Sequence, residues 1–155
     1  MSVTLVPVKQ DEIGLVWKMQ VEAFSGLWAK YHDNDISPAA EGLEKVAARF
    51  AQPETTYYFI VAEGMRVGVI RVIDKKDSSR KRISPMWIME EYRGRGYAQA
   101  AILEAEKIHG ADNWCLDTIL QEPGNIHLYE KMGYRRTGRT MKINDLMDII
   151  FYEKD

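Results

Sequence analysis

The chain has 155 residues, and its 21 lysines and arginines nearly balance its 23 aspartates and glutamates, giving a formal net charge of −2. This length is typical of one domain with a sizeable core, and the near-neutral charge argues against nucleic acid as the main partner. The single cysteine excludes an internal disulfide, and no apolar run is long enough to cross a bilayer. We therefore expect one domain over residues 1–155 in a cytoplasmic protein.

The first third of the chain predicts a short strand followed by two helices. Apolar residues in Thr4–Val8 predict the strand, and apolar residues at helical spacing predict a helix over Asp11–Phe24. The polar stretch Ser25–Ser37 is expected to be a loop. Because Ser37 followed by Pro38 is typical of a helix start, the second helix is expected from this point.

Three strands are expected next. Thr56–Ala62 is nearly continuously apolar, and Glu63–Arg66 supplies a hairpin turn into Val67–Ile73. The third strand is Lys81–Met89. Since Pro85 within it cannot donate a hydrogen bond to a neighbouring strand, we expect an irregularity or an unpaired edge there.

The segment Met86–Ala98, MWIMEEYRGRGYA, predicts a binding site for an anion. Gly94 and Gly96 lack a Cβ, so the backbone can turn tightly and approach a ligand. A helix that begins near Gly96 has unpaired amides in its first turn, and these favour a phosphate. Arg93 and Arg95 add charge and hydrogen-bond donors at the same place.

Two common phosphate-binding motifs do not fit this segment. The dinucleotide fingerprint requires a third glycine where the chain has Gln99, and the Gly-Lys-Ser/Thr triplet of a P-loop is absent. The pattern that fits is Arg/Gln-x-x-Gly-x-Gly/Ala, formed by Arg93, Gly96 and Ala98. In these residues the chain resembles the GCN5-related N-acetyltransferase (GNAT) family, whose pyrophosphate-binding turn has this form.

The remaining sequence predicts two helices and three strands. The helix after the turn is expected to end at Gly110, with an apolar face that includes Ala101 and Ile108. The later elements are a strand over Trp114–Leu120, a short helix over Gly124–Met132 capped by Asn125, and strands over Tyr134–Thr140 and Leu146–Glu153.

A second block, Asn125–Tyr134, strengthens the resemblance. It contains an Asn, then Tyr129 one helical turn later, then Glu-Lys-Met-Gly-Tyr, and it is similar to the next motif of the GNAT family. The resemblance implies a mixed α+β fold of the acyl-CoA N-acyltransferase type, with a central, mostly antiparallel twisted sheet and helices on both faces. It also implies acetyl-CoA as co-substrate and no metal.

The resemblance further implies roles for individual residues. The backbone of Met86 through Ile88 is expected to pair with the pantetheine arm of coenzyme A, with the Ile88 N–H polarising the acetyl carbonyl. Asn125 is implied to contact coenzyme A, and Tyr129 to protonate the departing thiolate as general acid. The implied cofactor-binding residues are Met86, Ile88, Arg93, Gly94, Arg95, Gly96, Tyr97, Ala98 and Asn125.

Other reactive side chains carry weaker signals. The three histidines lack ligand spacing, so no metal site is expected. Cys115 lies in an apolar stretch and is expected to be a buried, inert thiol. The general base stays open, because a water relay leaves no sequence signature. The available carboxylates are those of Glu22, Glu90, Glu91 and Asp117.

The acceptor pocket is implied to lie between the first two helices. There, Trp28, Tyr31, Asp33 and Asp35 would receive a cationic amine through charge and aromatic faces, and an ordinary exposed loop is the alternative. The sequence does not select among polyamines, amino acids, aminoglycosides and protein amines as the acceptor.

The predicted function is transfer of the acetyl group of acetyl-CoA to a primary amine of a small molecule or peptide, by direct attack in a ternary complex. One alternative is a coenzyme A-binding sensor or assembly module of the same fold without catalysis. The other is a nucleotide-binding α/β domain, which Gln99 disfavours. Neither a nucleic acid nor a membrane is expected as partner, and exposed sheet edges leave room for a homodimer through the C-terminal strands.

Overall fold

Seven strands form one sheet, and four α-helices pack against its faces in this computed structural model, which describes residues 2–155. Among these residues, no helix is both long and apolar enough to span a membrane. The elements in chain order are β1 (Thr4–Pro7), α1 (Ile13–Tyr31), α2 (Leu43–Phe50), β2 (Thr55–Ala62), β3 (Met65–Ile73), β4 (Lys81–Ile88), α3 (Tyr97–His109), β5 (Trp114–Ile119), α4 (Pro123–Lys131), β6 (Arg135–Asn144) and β7 (Met147–Lys154).

The strand order in the sheet is β1-β2-β3-β4-β5-β7-β6. All neighbouring strands run antiparallel except β4 and β5, which are parallel. The mixed fold with a mostly antiparallel sheet is therefore confirmed. The one parallel pair lies at the centre of the sheet, and α3 provides the crossover between its two strands.

The helices divide the core into two layers. On one face, called the α3 face, Ala101 and Ile102 of α3 and Tyr129 of α4 pack against Trp114. On the opposite face, called the α1 face, Val16 and Met19 of α1 and Val46 of α2 pack against Tyr57 and Trp87. Burial of these apolar side chains, worth about 1.5–3 kcal/mol each, holds the helices against the sheet.

The expected irregularity at Pro85 is present. The ladder between β3 and β4 pairs Ile70 with Met86 but Val72 with Ile83, so two residues of β4 lie opposite the single Arg71. This is a β-bulge, and the Ser84–Pro85 peptide bond is cis. The bulge comes directly before the residues predicted to bind coenzyme A.

The first two helices differ from the sequence prediction. α1 continues to Tyr31 rather than ending at Phe24, because Tyr31 is buried against β7 and this burial stabilises the additional helical turns. The helix ends where His32 adopts the left-handed conformation. Ser37 caps only a short 3-10 turn, and α2 begins later, at Leu43.

Two predictions in the second half are also wrong. Asn125 is not the cap of α4, since the helix begins at Pro123 with Glu122 as the capping residue. Ile108 is 53% exposed and does not belong to the buried face of α3, because α3 is docked on the sheet through Ala101, Ile102 and Ala105.

Candidate active site

The parallel strands β4 and β5 separate after only two paired residues. Lys81 pairs with Trp114 and Arg82 with Cys115, and no further pair joins the strands over the described residues. Both strands nevertheless continue, β4 to Ile88 and β5 to Ile119. A wedge-shaped opening, called here the β4–β5 gap, therefore lies between residues 83–88 and residues 116–119.

The backbone of β4 offers hydrogen-bonding groups to this gap. The Met89 N–H donates to the Val67 carbonyl at 2.8 Å, in register with the β3–β4 ladder. Hydrogen-bonded and non-hydrogen-bonded pairs alternate in an antiparallel ladder, so Trp87 bonds to β3 while Met86 and Ile88 turn away from it. The two strand residues predicted to bind the cofactor arm are thus the ones that face the gap.

Gly68 on β3 sets how closely β4 can approach, and the sequence analysis missed it. A Cβ at Gly68 would lie 2.1 Å from the carbonyl oxygen of Trp87 and 3.1 Å from the Cα of Ile88. Any larger residue would push away the stretch of β4 that lines the gap. The available signal was an isolated glycine inside an apolar strand, which is typical of a close backbone approach.

The glycine turn lies at the end of β4, where the chain enters α3. Gly94 and Gly96 have φ values of +78° and +81°, and Gly96 is the residue before the first turn of α3. A Cβ at either glycine would meet no protein atom within 4 Å. No side chain among residues 2–155 caps α3. Its first amides are therefore available to an anion, and the space in front of them is open.

The two arginines of the turn are placed differently. The Arg93 Nε donates to the Ile88 carbonyl at 2.8 Å, and Nη2 donates to the Ala23 carbonyl at 3.1 Å. Arg93 thus ties the turn to β4 and to α1. Arg95 is exposed and lies 5.7 Å from the centre of the Tyr92 ring.

The first turn of α3 divides its side chains between core and surface. Tyr97 is 4% exposed and belongs to the core of the α3 face, whereas Ala98 is half-buried. The helix start is therefore anchored through Tyr97, and the small side chain of Ala98 leaves its backbone accessible.

Helix α4 holds the two polar residues of the second motif beside β5. The Asn125 amide donates to the Thr118 hydroxyl of β5 at 3.1 Å. Tyr129 is 9% exposed and its ring packs edge-on against Tyr134. Burial raises the pKa of Tyr129, and the charge of Asp117 raises it further. Tyr129 therefore keeps its proton at neutral pH.

Among the four carboxylates considered as general base, Asp117 alone combines partial burial with closeness to Tyr129. Its carboxylate accepts from the Arg82 guanidinium at 2.5 Å. Glu22, Glu90 and Glu91 are exposed.

The four acceptor-side residues do not come together as one cationic-amine site. The Tyr31 hydroxyl donates to the Glu122 carboxylate at 2.5 Å, and the Trp28 indole N–H donates to Asn34 at 2.8 Å. Asp33 is buried, and burial raises its pKa, whereas Asp35 is exposed.

Glu122 joins the end of α1 to the start of α4, which the sequence analysis did not foresee. Besides Tyr31, its carboxylate accepts from Lys30 Nζ at 2.8 Å. Burial opposes ionisation of Glu122, but the hydrogen bonds from Lys30 and Tyr31 outweigh it and lower the pKa. The contact spans 91 residues in sequence, so no local pattern indicates it.

The remaining reactive groups are the cysteine and the side chains that could bind a metal. Cys115 is half-buried rather than buried, and desolvation raises the pKa of its thiol, as is typical of an unreactive cysteine. Within the described part of the chain, no group of three or more metal-ligating side chains comes together.

Comparison with known proteins gives a family and a fold. A family model described as an acetyltransferase (GNAT) domain matches residues 54–136, which are 83 of the 155 residues. N-acetylaspartate synthetase of Danio rerio is 24% identical over 99 residues, which cover 61% of this chain and 35% of the relative. The chain therefore spans about a third of the length of the curated relative it matches.

Two solved structures share the architecture over almost the whole chain. Spermidine N-acetyltransferase of Vibrio cholerae, in complex with CoA and spermine, has a TM-score of 0.74 at 15% identity, over 97% of this chain and 93% of that one. PaiA N-acetyltransferase of Thermoplasma acidophilum, in complex with coenzyme A, has a TM-score of 0.70 at 14% identity, over 100% of both chains.

Proposed function

Because the chain belongs to the GNAT family of acetyltransferases, we propose that it transfers the acetyl group of acetyl-CoA to a primary amine by direct attack in a ternary complex. The observation that carries the proposal is the β4–β5 gap, which Met86 and Ile88 face with backbone groups that β3 does not use, the Ile88 carbonyl being bound by Arg93. The glycine turn and the uncapped start of α3 lie at the end of β4. We treat residues 2–155 as one domain, since its sheet includes strands from Thr4 to Lys154.

The residues present fit acetyl-CoA, which when bound supplies a thioester carbonyl open to attack by an amine. The amides of Gly94 to Ala98 would hold the pyrophosphate, because a positive helix start and a Cβ-free turn suit an anion. Met86 and Ile88 would pair with the peptide-like arm. The Ile88 N–H would also donate to the oxygen on which negative charge develops, which lowers the barrier.

Tyr129 and Asn125 of α4 complete the proposed donor site. Tyr129 would donate its proton to the leaving sulfur, and its raised pKa keeps that proton available. Asn125 would orient the cofactor while its amide stays bonded to Thr118. No cysteine is needed, because attack by the amine is direct and Cys115 is a protonated, half-buried thiol.

The names of the compared proteins support an amine acceptor and disagree about its charge. One relative is a synthetase of N-acetylaspartate, whereas one structure holds spermine. The first name points to an acidic amino acid and the second to a polycation.

The experiment that tests the proposal measures two things on one preparation. Calorimetric titration gives the affinity for acetyl-CoA and for NAD or ATP, and release of the coenzyme A thiol is followed with a panel of amines. Tight binding of acetyl-CoA together with amine-dependent thiol release is the expected result. Tight binding without thiol release for any amine would instead favour a coenzyme A sensor.

A further inference from the structure

An open cleft lies on the α1 face, beside the β4–β5 gap. Its volume is about 510 Å³. Side chains of directly opposed strand residues point to the same face, so two rows line it. One row runs from Arg82 across β5 to Glu153, and the other runs from Asp117 through Phe151 to Arg139.

The charges in this cleft do not cancel. Glu153 is paired with Arg80 at 2.7 Å, and Asp117 is paired with Arg82 at 2.5 Å. Arg139 lies 4.2 Å from the centre of the Phe151 ring, and it forms no salt bridge within residues 2–155. The aromatic face holds this guanidinium in place without neutralising it. The cleft therefore has one cation more than it has anions.

A second uncompensated cation lies on the same face, on the other side of β4. Arg71 is only 7% exposed, and it donates to neutral oxygens, which are the Ser84 carbonyl and the side chains of Gln52 and Thr55. Burial lowers the pKa of Arg71, and repulsion from nearby arginines, Arg82 among them, lowers it further. Positive charge therefore flanks β4 on both sides and exceeds the charge of the neighbouring carboxylates. This arrangement is unusual, because buried charges in proteins are normally paired.

We infer that the acceptor is a primary amine that also carries a carboxylate, such as an α-amino acid, with Arg139 and Arg82 binding the carboxylate and Asp117 facing the amino group. This inference rests on the proposed function. Neighbouring strands are about 4.8 Å apart, and β7 lies between β5 and β6, so the backbones at Asp117 and Arg139 are about 10 Å apart across the sheet. An arginine side chain and an amino acid together can span this distance. A guanidinium pairs well with a carboxylate, whereas a polyamine would meet excess positive charge here.

The test compares acceptors that differ in one group. L-alanine and L-alaninamide differ only in the carboxylate, L-aspartate adds a second carboxylate, and spermidine has none. We expect the wild-type chain to use L-alanine or L-aspartate at least about tenfold better, by kcat/KM, than alaninamide or spermidine, since a charge-assisted hydrogen bond is worth about 1.5–3 kcal/mol.

The variants identify the residues. Arg139→Gln should raise KM for the carboxylate acceptors about tenfold, and its effect on kcat/KM for alaninamide should be several-fold smaller. Arg82→Gln should have the same sign of effect. Arg136→Gln is the control and should behave like wild type, because Arg136 lies opposite Tyr152 on the α3 face and pairs with Glu130. Calorimetry with N-acetyl-L-aspartate in the presence of coenzyme A gives a second readout, in which Arg139→Gln should weaken binding.

The outcomes separate this inference from the proposed function. Efficient acetylation of spermidine and alaninamide, with weak use of amino acids, would overturn the anionic acceptor and leave the acetyltransferase intact. Equal effects of Arg139→Gln and Arg136→Gln would overturn the assignment of the cleft. Thiol release with other amines of the panel but with neither L-alanine nor L-aspartate would overturn the inference alone, and thiol release with no amine at all would overturn the proposed function as well.

Discussion

The proposed donor side and the proposed acceptor side of the β4–β5 gap are built from different parts of the chain. On the proposed donor side, backbone groups of β4 and of the glycine turn face the open space, and the side chains mostly hold that backbone in place. On the proposed acceptor side, charged side chains of β4, β5, β6 and β7 line the cleft. A backbone site depends on conformation and tolerates sequence change elsewhere, whereas a side-chain site can change its ligand through one substitution.

The largest expected effect comes from breaking the backbone site at Gly96. In Gly96→Val, a β-branched residue would have to adopt a φ of +81°, and its side chain would enter the open space in front of α3. We expect the dissociation constant of coenzyme A to rise about 100-fold or more. Gly14→Ala in α1 is the control, because Gly14 has free space around it and no positive φ, and its calorimetric affinity should be unchanged.

The next effect concerns the chemistry of α4 rather than binding. Tyr129→Phe should lower kcat about 100-fold while the affinity for coenzyme A stays constant, because only the transferable proton is removed. Tyr134→Phe is a matched control, since Tyr134 packs against Tyr129 and its buried hydroxyl has no hydrogen-bond partner within residues 2–155. Equal turnover of the two variants would remove Tyr129 from the acid role.

The pH dependence of the same step follows from the raised pKa of Tyr129. In the proposed role as general acid, Tyr129 is active when protonated, and the protonated form persists as the pH rises through the ordinary tyrosine range near 10. The kcat of the wild-type chain should therefore show no alkaline fall due to Tyr129 up to about pH 10. A fall centred at pH 8 to 9 that disappears in Tyr129→Phe would contradict this assignment.

A smaller effect tests whether Asn125 serves the cofactor or only the fold. Asn125→Ala loses a hydrogen bond to Thr118 worth about 1 kcal/mol of stability, and Thr118→Val loses the same bond from the other side. If Asn125 contacts coenzyme A, the affinity for coenzyme A falls about tenfold in the first variant and hardly at all in the second. Equal affinities in the two variants would assign Asn125 to structure alone.

The smallest effect tests the contact between the end of α1 and the start of α4. Tyr31→Phe removes the hydroxyl that bonds to Glu122 and should lower the free energy of unfolding by about 1–2 kcal/mol. Tyr134→Phe is again the control, because the buried Tyr134 hydroxyl has no hydrogen-bond partner within residues 2–155, and denaturant titration should show little or no loss. A Tyr31→Phe chain as stable as wild type would contradict a structural contribution from this contact.

The sequence predicted the form of the glycine turn far better than the end of α1, because the turn depends on neighbouring residues and the helix end depends on residues distant in sequence. The turn from Met86 to Ala98 is one continuous segment, so glycine spacing and strand pattern suffice to indicate its form. The end of α1 depends on where Tyr31 lands against β7 and Glu122, which only the folded chain decides. Tertiary packing there overrides the polar composition of Ser25–Ser37.

The same limit applies to single residues. Asn125 is an excellent capping residue by type, yet Pro123 begins the helix two positions earlier because proline favours the first turn. Ile108 has the right spacing for the buried face of α3, but at the end of the helix that face runs through Glu106 and His109, so Ile108 is exposed. Arg71 and Arg139 carry no local signal, since what distinguishes them is that neither forms a salt bridge within residues 2–155.

The hydrogen bond from Arg93 to the Ile88 carbonyl has a consequence for the register of a bound ligand. Met86 and Ile88 both turn toward the gap, but the Ile88 carbonyl is already occupied, so Ile88 presents a donor without an acceptor. Met86 is two residues further from the turn and retains both groups. A peptide-like chain lying along this edge can therefore form a two-bond pair only at Met86, and it must place a carbonyl opposite Ile88. Arg93 would thus determine which groups of an extended ligand can lie opposite Ile88 and Met86.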